Sequence, residues 1–160
     1  MRTVNQWLDE YSQSHRNATN ELLHWICVPV IVMCVFGFLL SLPVPAIFSA
    51  LSPNLNWATL TAALALLYYT ALSPMLALGV LAVFFAMFAL LRLASGLPWP
   101  LWQTSLAAFV VAWIGQFIGH AIEGRRPSFF KDLQFLLIGP LWLLSIVYRR
   151  LGLRWERAPR

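Results

Sequence analysis

The chain has 160 residues, 60% of them hydrophobic and only 11% charged, with a formal charge of +5. A soluble domain carries about 25% charged and about 45–50% apolar residues, which excludes an ordinary soluble fold, a disordered chain and a coiled coil. Between Leu22 and Ile122 the only formal charge is Arg92, so neither a solvated surface nor a nucleic-acid footprint fits, and one membrane domain over residues 1–160 is predicted.

Val4, Trp7, Leu8 and Tyr11 recur at helical spacing, which predicts an amphipathic N-terminal helix at the membrane surface. Residues 14–20 are rich in turn and cap formers, so the chain should bend there, with Asn20 as N-cap and Glu21 in the first turn of the next helix. Four apolar runs follow, over residues 22–42, 57–72, 75–91 and 101–122. A span needs about 20 residues, with a range of about 17–25, and the second run is short. Pro43 and Pro45 end the first run, Ser73-Pro74 makes a tight hairpin between the second and third, and Leu97-Pro98-Trp99-Pro100 leads into the fourth.

A fifth run, 133–148, carries Gly139-Pro140 in its middle. Arg125, Arg126 and Lys131 precede it, and Arg149, Arg150, Arg154, Arg157 and Arg160 follow. Were it a span, two strongly basic segments would lie on opposite sides, against the positive-inside tendency. The fold expected is therefore all-α: a polytopic transmembrane helical bundle of four spans plus a re-entrant or interfacial C-terminal hairpin, both termini cytoplasmic. Cys27 and Cys34 are separated by about 10.5 Å of helical rise, beyond disulfide reach, and are expected as free thiols.

Ionisable residues inside apolar helices are costly and usually functional. His24 lies one turn inside the first span and His120 near the end of the fourth. Trp113, Gln116, His120 and Glu123 step by three, four and three, so they share one helix face. His15 and His24 would lie about half a turn apart on a straight helix. A bend between residues 17 and 20 lets both turn toward His120, and Asn20 shares the face of His24. Three imidazoles, with Glu123 as fourth ligand or supporting partner, suit Fe, Zn or Cu. Glu123, Asn20 and Gln116 are the candidate catalytic polar groups. Two other readings remain on spacing alone: interhelical hydrogen bonding without a metal, and a bis-histidine haem. Gly115-x-x-x-Gly119 reads as close helix packing. The basic tail reads as an anchor at anionic head groups.

Two blocks carry a resemblance to a known family. Tyr11-x-x-x-His15, Asn20-x-x-x-His24 and Pro29 form the first; the run from Gln116 through Gly119, His120, Glu123, Arg125 and Arg126 to Pro127 forms the second, continued by Asp132 and Gly139-Pro140. Together they resemble the membrane-bound 2-hydroxy fatty acid dioxygenases, relatives of the yeast alpha-oxidation enzyme of phytosphingosine degradation. The resemblance implies an Fe(II)-dependent enzyme that uses dioxygen to shorten a 2-hydroxy fatty acid by one carbon. It maps the metal-binding histidines onto His15, His24 and His120, and the family's acidic position onto Glu123. Arg125, Arg126 and Lys131 are candidates to meet the substrate carboxylate. No endoplasmic-reticulum retrieval signal is evident, and a multi-pass protein of the bacterial inner membrane is expected, in contact with membrane lipid. A non-catalytic helical membrane scaffold or assembly protein, and a zinc-dependent membrane hydrolase, are the competing classes.

Overall fold

A computed structural model describes residues 2–13, 15–124 and 137–155. Seven helices form among them: α1 (Val4–Ser12), α2 (Ala18–Ser41), α3 (Ala46–Leu51), α4 (Trp57–Leu72), α5 (Pro74–Ala94), α6 (Leu101–Glu123) and α7 (Ile138–Arg150). The described residues contain no strand. By length and composition α2, α5 and α6 can cross a membrane. Helix α4, with 16 residues, rises about 24 Å, less than the about 30 Å hydrocarbon core.

The apolar runs map onto α2, α4, α5 and α6, and the turn chemistry explains their ends. Ser73 caps both sides of the α4–α5 turn: its N–H donates to the Tyr69 carbonyl at 2.8 Å and its Oγ accepts the Leu76 N–H at 3.3 Å. Pro74 opens α5 at a position whose N–H would have no helical partner. Helix α6 ends at Gly124, whose φ of 73° is the left-handed conformation that closes helices. The short helix α3, between the first two apolar runs, was not anticipated.

Helices α2 and α6 lie antiparallel in the most extensive helix contact among the described residues, and glycine makes it possible. Cβ atoms added at Gly37 and Gly119 would collide with Ser105 Oγ and Asn20 Oδ1, and one at Gly115 would fall 2.6 Å from Cys27 Sγ. The Gly115-x-x-x-Gly119 stripe therefore does what its spacing predicted, bringing the His120 end of α6 against the start of α2. Cys27 and Cys34 are buried free thiols.

Three local expectations need correction. Helix α1 is amphipathic, but its apolar face is covered by protein. Leu8 and Tyr11 are buried, the Tyr11 ring lies 5.2 Å from that of Trp142 on α7, and Trp142 Nε1 donates to Ser12 Oγ at 2.7 Å. The N-cap of α2 is Asn17 rather than Asn20: Asn17 Oδ1 accepts the Thr19 and Asn20 N–H groups at 2.9 and 3.4 Å. Finally, Gly139-Pro140 does not break the fifth apolar segment. It lies in the first turn of α7, where proline costs no hydrogen bond. From Ile138 to Arg150 the chain is a single helix, with seven residues buried, Leu141 and Ser145 completely. Residues 133–136, the start of the proposed hairpin, lie outside the described residues.

Candidate metal centre

The histidines come from three separate places in the chain. His15 sits in the connection between α1 and α2, His24 on the second turn of α2, and His120 on the last turn of α6. One ring nitrogen from each lies within 4.8 Å of the other two. Ring centroids are 4.2 Å apart for His15–His24, 5.2 Å for His24–His120 and 5.7 Å for His15–His120. His15 and His24 are buried, at 8% and 2% exposure, and His120 is half-buried. Tyr11 stacks on His15 at 4.2 Å with planes 9° apart, and Trp142 stands 5.4 Å from the same ring.

Backbone carbonyls decide how two of these rings present themselves. His15 Nδ1 lies 2.7 Å from the Tyr11 carbonyl and His24 Nδ1 lies 2.9 Å from the Asn20 carbonyl, each four residues earlier. A carbonyl only accepts, so both Nδ1 atoms carry the proton and each neutral ring presents a bare Nε2 lone pair. Those two Nε2 atoms are 2.9 Å apart. Two lone pairs at that separation repel unless a cation lies between or beside them. Two nitrogens about 2.0–2.1 Å from one metal, at right angles, stand about 2.9 Å apart. The donor set thus fits a divalent metal, with the orienting acceptors that metal-binding histidines ordinarily have. Burial holds the His15 imidazole below its usual range; the neighbouring His120 adds to this, while the Tyr11 carbonyl and the carboxylates of Glu123 and Glu21 oppose it. His15 is therefore neutral at pH 7, the form that ligates.

Glu123 acts on the connection that carries His15. Its Oε1 accepts the Arg16 N–H at 3.0 Å; its Oε2 accepts the Asn17 N–H at 2.9 Å and Asn20 Nδ2 at 3.1 Å. The carboxylate thereby sits on the exposed N–H groups at the start of α2, where a negative charge is favoured. It fastens the end of α6 to the residues directly after His15. Among the described residues the cluster able to hold a metal is the three imidazoles, and Glu123 bonds the backbone next to His15. Asn20, fully buried, serves twice: its side chain holds Glu123 and its carbonyl orients His24.

Gln116 lies one turn before His120, buried at 6% exposure, its Nε2 without a hydrogen-bond partner among the described residues. Trp113 Nε1, a further turn along the same face, is also buried and unpaired there. Arg125, Arg126 and Lys131, the candidates for the substrate carboxylate, lie outside the described residues. Sequence reasoning missed Trp142 as a wall of the site. The Tyr11-x-x-x-His15 spacing, which puts a ring one helical turn from His15, was the available signal for Tyr11.

No curated protein and no solved structure matches the chain. One family model, described as 2-hydroxy-palmitic acid dioxygenase Mpo1-like, matches residues 1–151. That span includes all three histidines, Glu123 and all of α7, and the chain belongs to the Mpo1-like family.

Proposed function

We propose that this protein is an Fe(II)-dependent dioxygenase that shortens 2-hydroxy fatty acids by one carbon at a membrane. The observation that carries the reading is the meeting of three histidines from distant segments, two of them with Nε2 atoms bared by carbonyl-held Nδ1 protons. Family membership supplies the substrate class. His15, His24 and His120 are the residues that would hold the iron. Bound there, ferrous iron would supply the dioxygen chemistry of the reaction.

The chain's own residues do the rest. Tyr11 and Trp142 wall one side of the site with aromatic surface and keep bulk water from His15. Glu123 and Asn20 hold the His15 connection against α6, so the ligand geometry exists before substrate arrives, which lowers the cost of binding. Gln116, one turn before His120, offers a buried amide N–H unpaired among the described residues, a donor suited to a substrate oxygen. The apolar helices surrounding the site suit the acyl chain. In this reading the chain lies in a bacterial inner membrane with α4 as a fourth, short span, and the histidine end and both termini face the cytoplasm.

The test is anaerobic reconstitution of purified protein with Fe(II), followed by admission of air and 2-hydroxypalmitate. Release of the acid one carbon shorter, lost in each of His15→Ala, His24→Ala and His120→Ala, is the expected result. Stoichiometric zinc with no iron-dependent turnover would move the reading to a hydrolase, and no metal at all would leave a helical scaffold.

A further inference from the structure

At the end of the bundle away from the histidines, α4 and α5 part around a cleft of about 750 Å³. Its walls are apolar, including Ala63 and Leu66 of α4, Leu81, Phe85 and Phe88 of α5, and Leu40 of α2. Its rim is polar and includes Arg92, Asn54, Asn56, Thr59 and Ser95. Much of the rim is internally engaged. Asn56 Oδ1 accepts the Thr59 N–H at 3.0 Å, Thr59 Oγ1 donates to the Asn54 carbonyl at 3.0 Å, and Ser95 Oγ donates to the Arg92 carbonyl at 2.7 Å. The Arg92 guanidinium is exposed, and no carboxylate pairs with it among the described residues.

Arg92 is out of place as a topology anchor. Ten of the eleven basic residues lie before α2 or after α6 in the sequence. Arg92 closes the C-terminus of α5, whose N-terminus sits at the histidine end, where Tyr148 of α7 donates to the Met75 carbonyl at 3.0 Å. The positive-inside tendency concentrates basic residues on one side and gives no reason for one at the opposite end. The lone charge of a long apolar stretch thus stands at the mouth of an apolar cleft.

A lipid-facing void of this size loses dispersion contacts unless acyl chain fills it. A guanidinium fork at the membrane boundary binds phosphate oxygens in pairs. A zwitterionic head carries its own cation beside the phosphate, so an anionic head is favoured. We propose that this cleft binds one anionic phospholipid from the leaflet opposite the histidines, its phosphate on Arg92 and one acyl chain along Leu66, Leu81 and Phe85. The site is independent of the proposed reaction and goes beyond it.

The full-length protein is reconstituted in nanodiscs holding equal amounts of phosphatidylglycerol and phosphatidylcholine, and retained lipid is counted by native mass spectrometry. One phosphatidylglycerol per chain is expected. Arg92→Gln should reduce its retention about fivefold, the effect of one cation near an anionic head group. Ala63→Trp, which fills the cleft from its exposed side and leaves Arg92 in place, should reduce it as well. Arg154→Gln, an exposed cation at the other end, should leave it unchanged. Equal retention of the two lipids, no loss in either cleft variant, or an equal loss in Arg154→Gln would overturn the proposal. Displacement of phosphatidylglycerol by equimolar palmitate would assign the cleft to free fatty carboxylates and overturn the phospholipid assignment.

Discussion

Replacing Glu123 by glutamine tests whether a hydrogen-bonded latch sets the geometry of the histidine centre. The substitution keeps the volume, removes the charge and puts an amide NH2 where one carboxylate oxygen accepted hydrogen bonds. Three donors converge on that carboxylate, from Arg16, Asn17 and the Asn20 side chain. Hydrogen bonds to a charged group contribute about 1.5–3 kcal/mol each, and a donor left facing a donor costs more than a lost bond. Glu123 is partly exposed, so water compensates in part, and a net loss on the order of 2 kcal/mol from the closed connection is expected. That corresponds to about 30-fold weaker metal holding, within the about 10–100-fold common for residues that support ligands. The assay is an anaerobic Fe(II) titration against a chromogenic chelator, with turnover of 2-hydroxypalmitate measured in parallel. Because the latch acts through His15, Glu123→Gln should cost little further affinity in a His15→Ala background. Wild-type affinity and turnover in a folded Glu123→Gln protein would refute the reasoning. So would the same 30-fold loss in the His15→Ala background.

Three further outcomes follow from the packing and the protonation of the site. Gly119→Ala places a Cβ on Asn20 Oδ1, and should destabilise the α2–α6 pair by about 1–3 kcal/mol, read as a lower Tm in detergent and weaker metal binding. Trp142→Phe removes the 2.7 Å hydrogen bond to Ser12 Oγ, at a cost of about 1 kcal/mol, and should raise hydrogen exchange in α1 more than in α2. Burial keeps His15 below its usual range in the folded protein, whereas the unfolded chain takes up that proton near pH ~6.5. The stability His15 contributes is therefore complete above that pH and declines as the pH falls. Metal-free protein should lose Tm between about pH 7 and pH 5, and His15→Gln should make the decline shallower by removing one titrating group.

Much of the architecture is legible in the chain because a bilayer punishes polar backbone and charge alike, forcing long uncharged runs onto helices. That is why α2, α4, α5 and α6 appear as apolar runs, and why Ser73-Pro74 marks the tight turn between α4 and α5. The helical face of Gln116, His120 and Glu123, and the need for a bend between His15 and His24, also follow from local periodicity. So does the small-residue stripe of Gly115 and Gly119, which already indicates a close neighbour without naming it.

Other features depend on which segments meet. The apolar stripe of α1 looks the same whether a bilayer or α7 covers it, and only the Trp142–Ser12 and Tyr11–Trp142 contacts distinguish the two. Asn17 and Asn20 are equally good cap residues in isolation. Asn20 lies inside the helix because its side chain is drawn to Glu123, 103 positions away in sequence. Spacing left Glu123 as either a fourth ligand or a supporting partner, whereas its hydrogen bonds to the Arg16 and Asn17 N–H groups and to the Asn20 amide exist only because the end of α6 meets the start of α2. The direction in which His15 and His24 present their Nε2 atoms is set by backbone carbonyls and by the Tyr11 stack. Residue type and spacing determined which side chains lie on a common face and which segments are buried. What those faces are buried against, and which nitrogen of each imidazole points inward, was decided by contacts between segments remote in sequence, which periodicity does not encode.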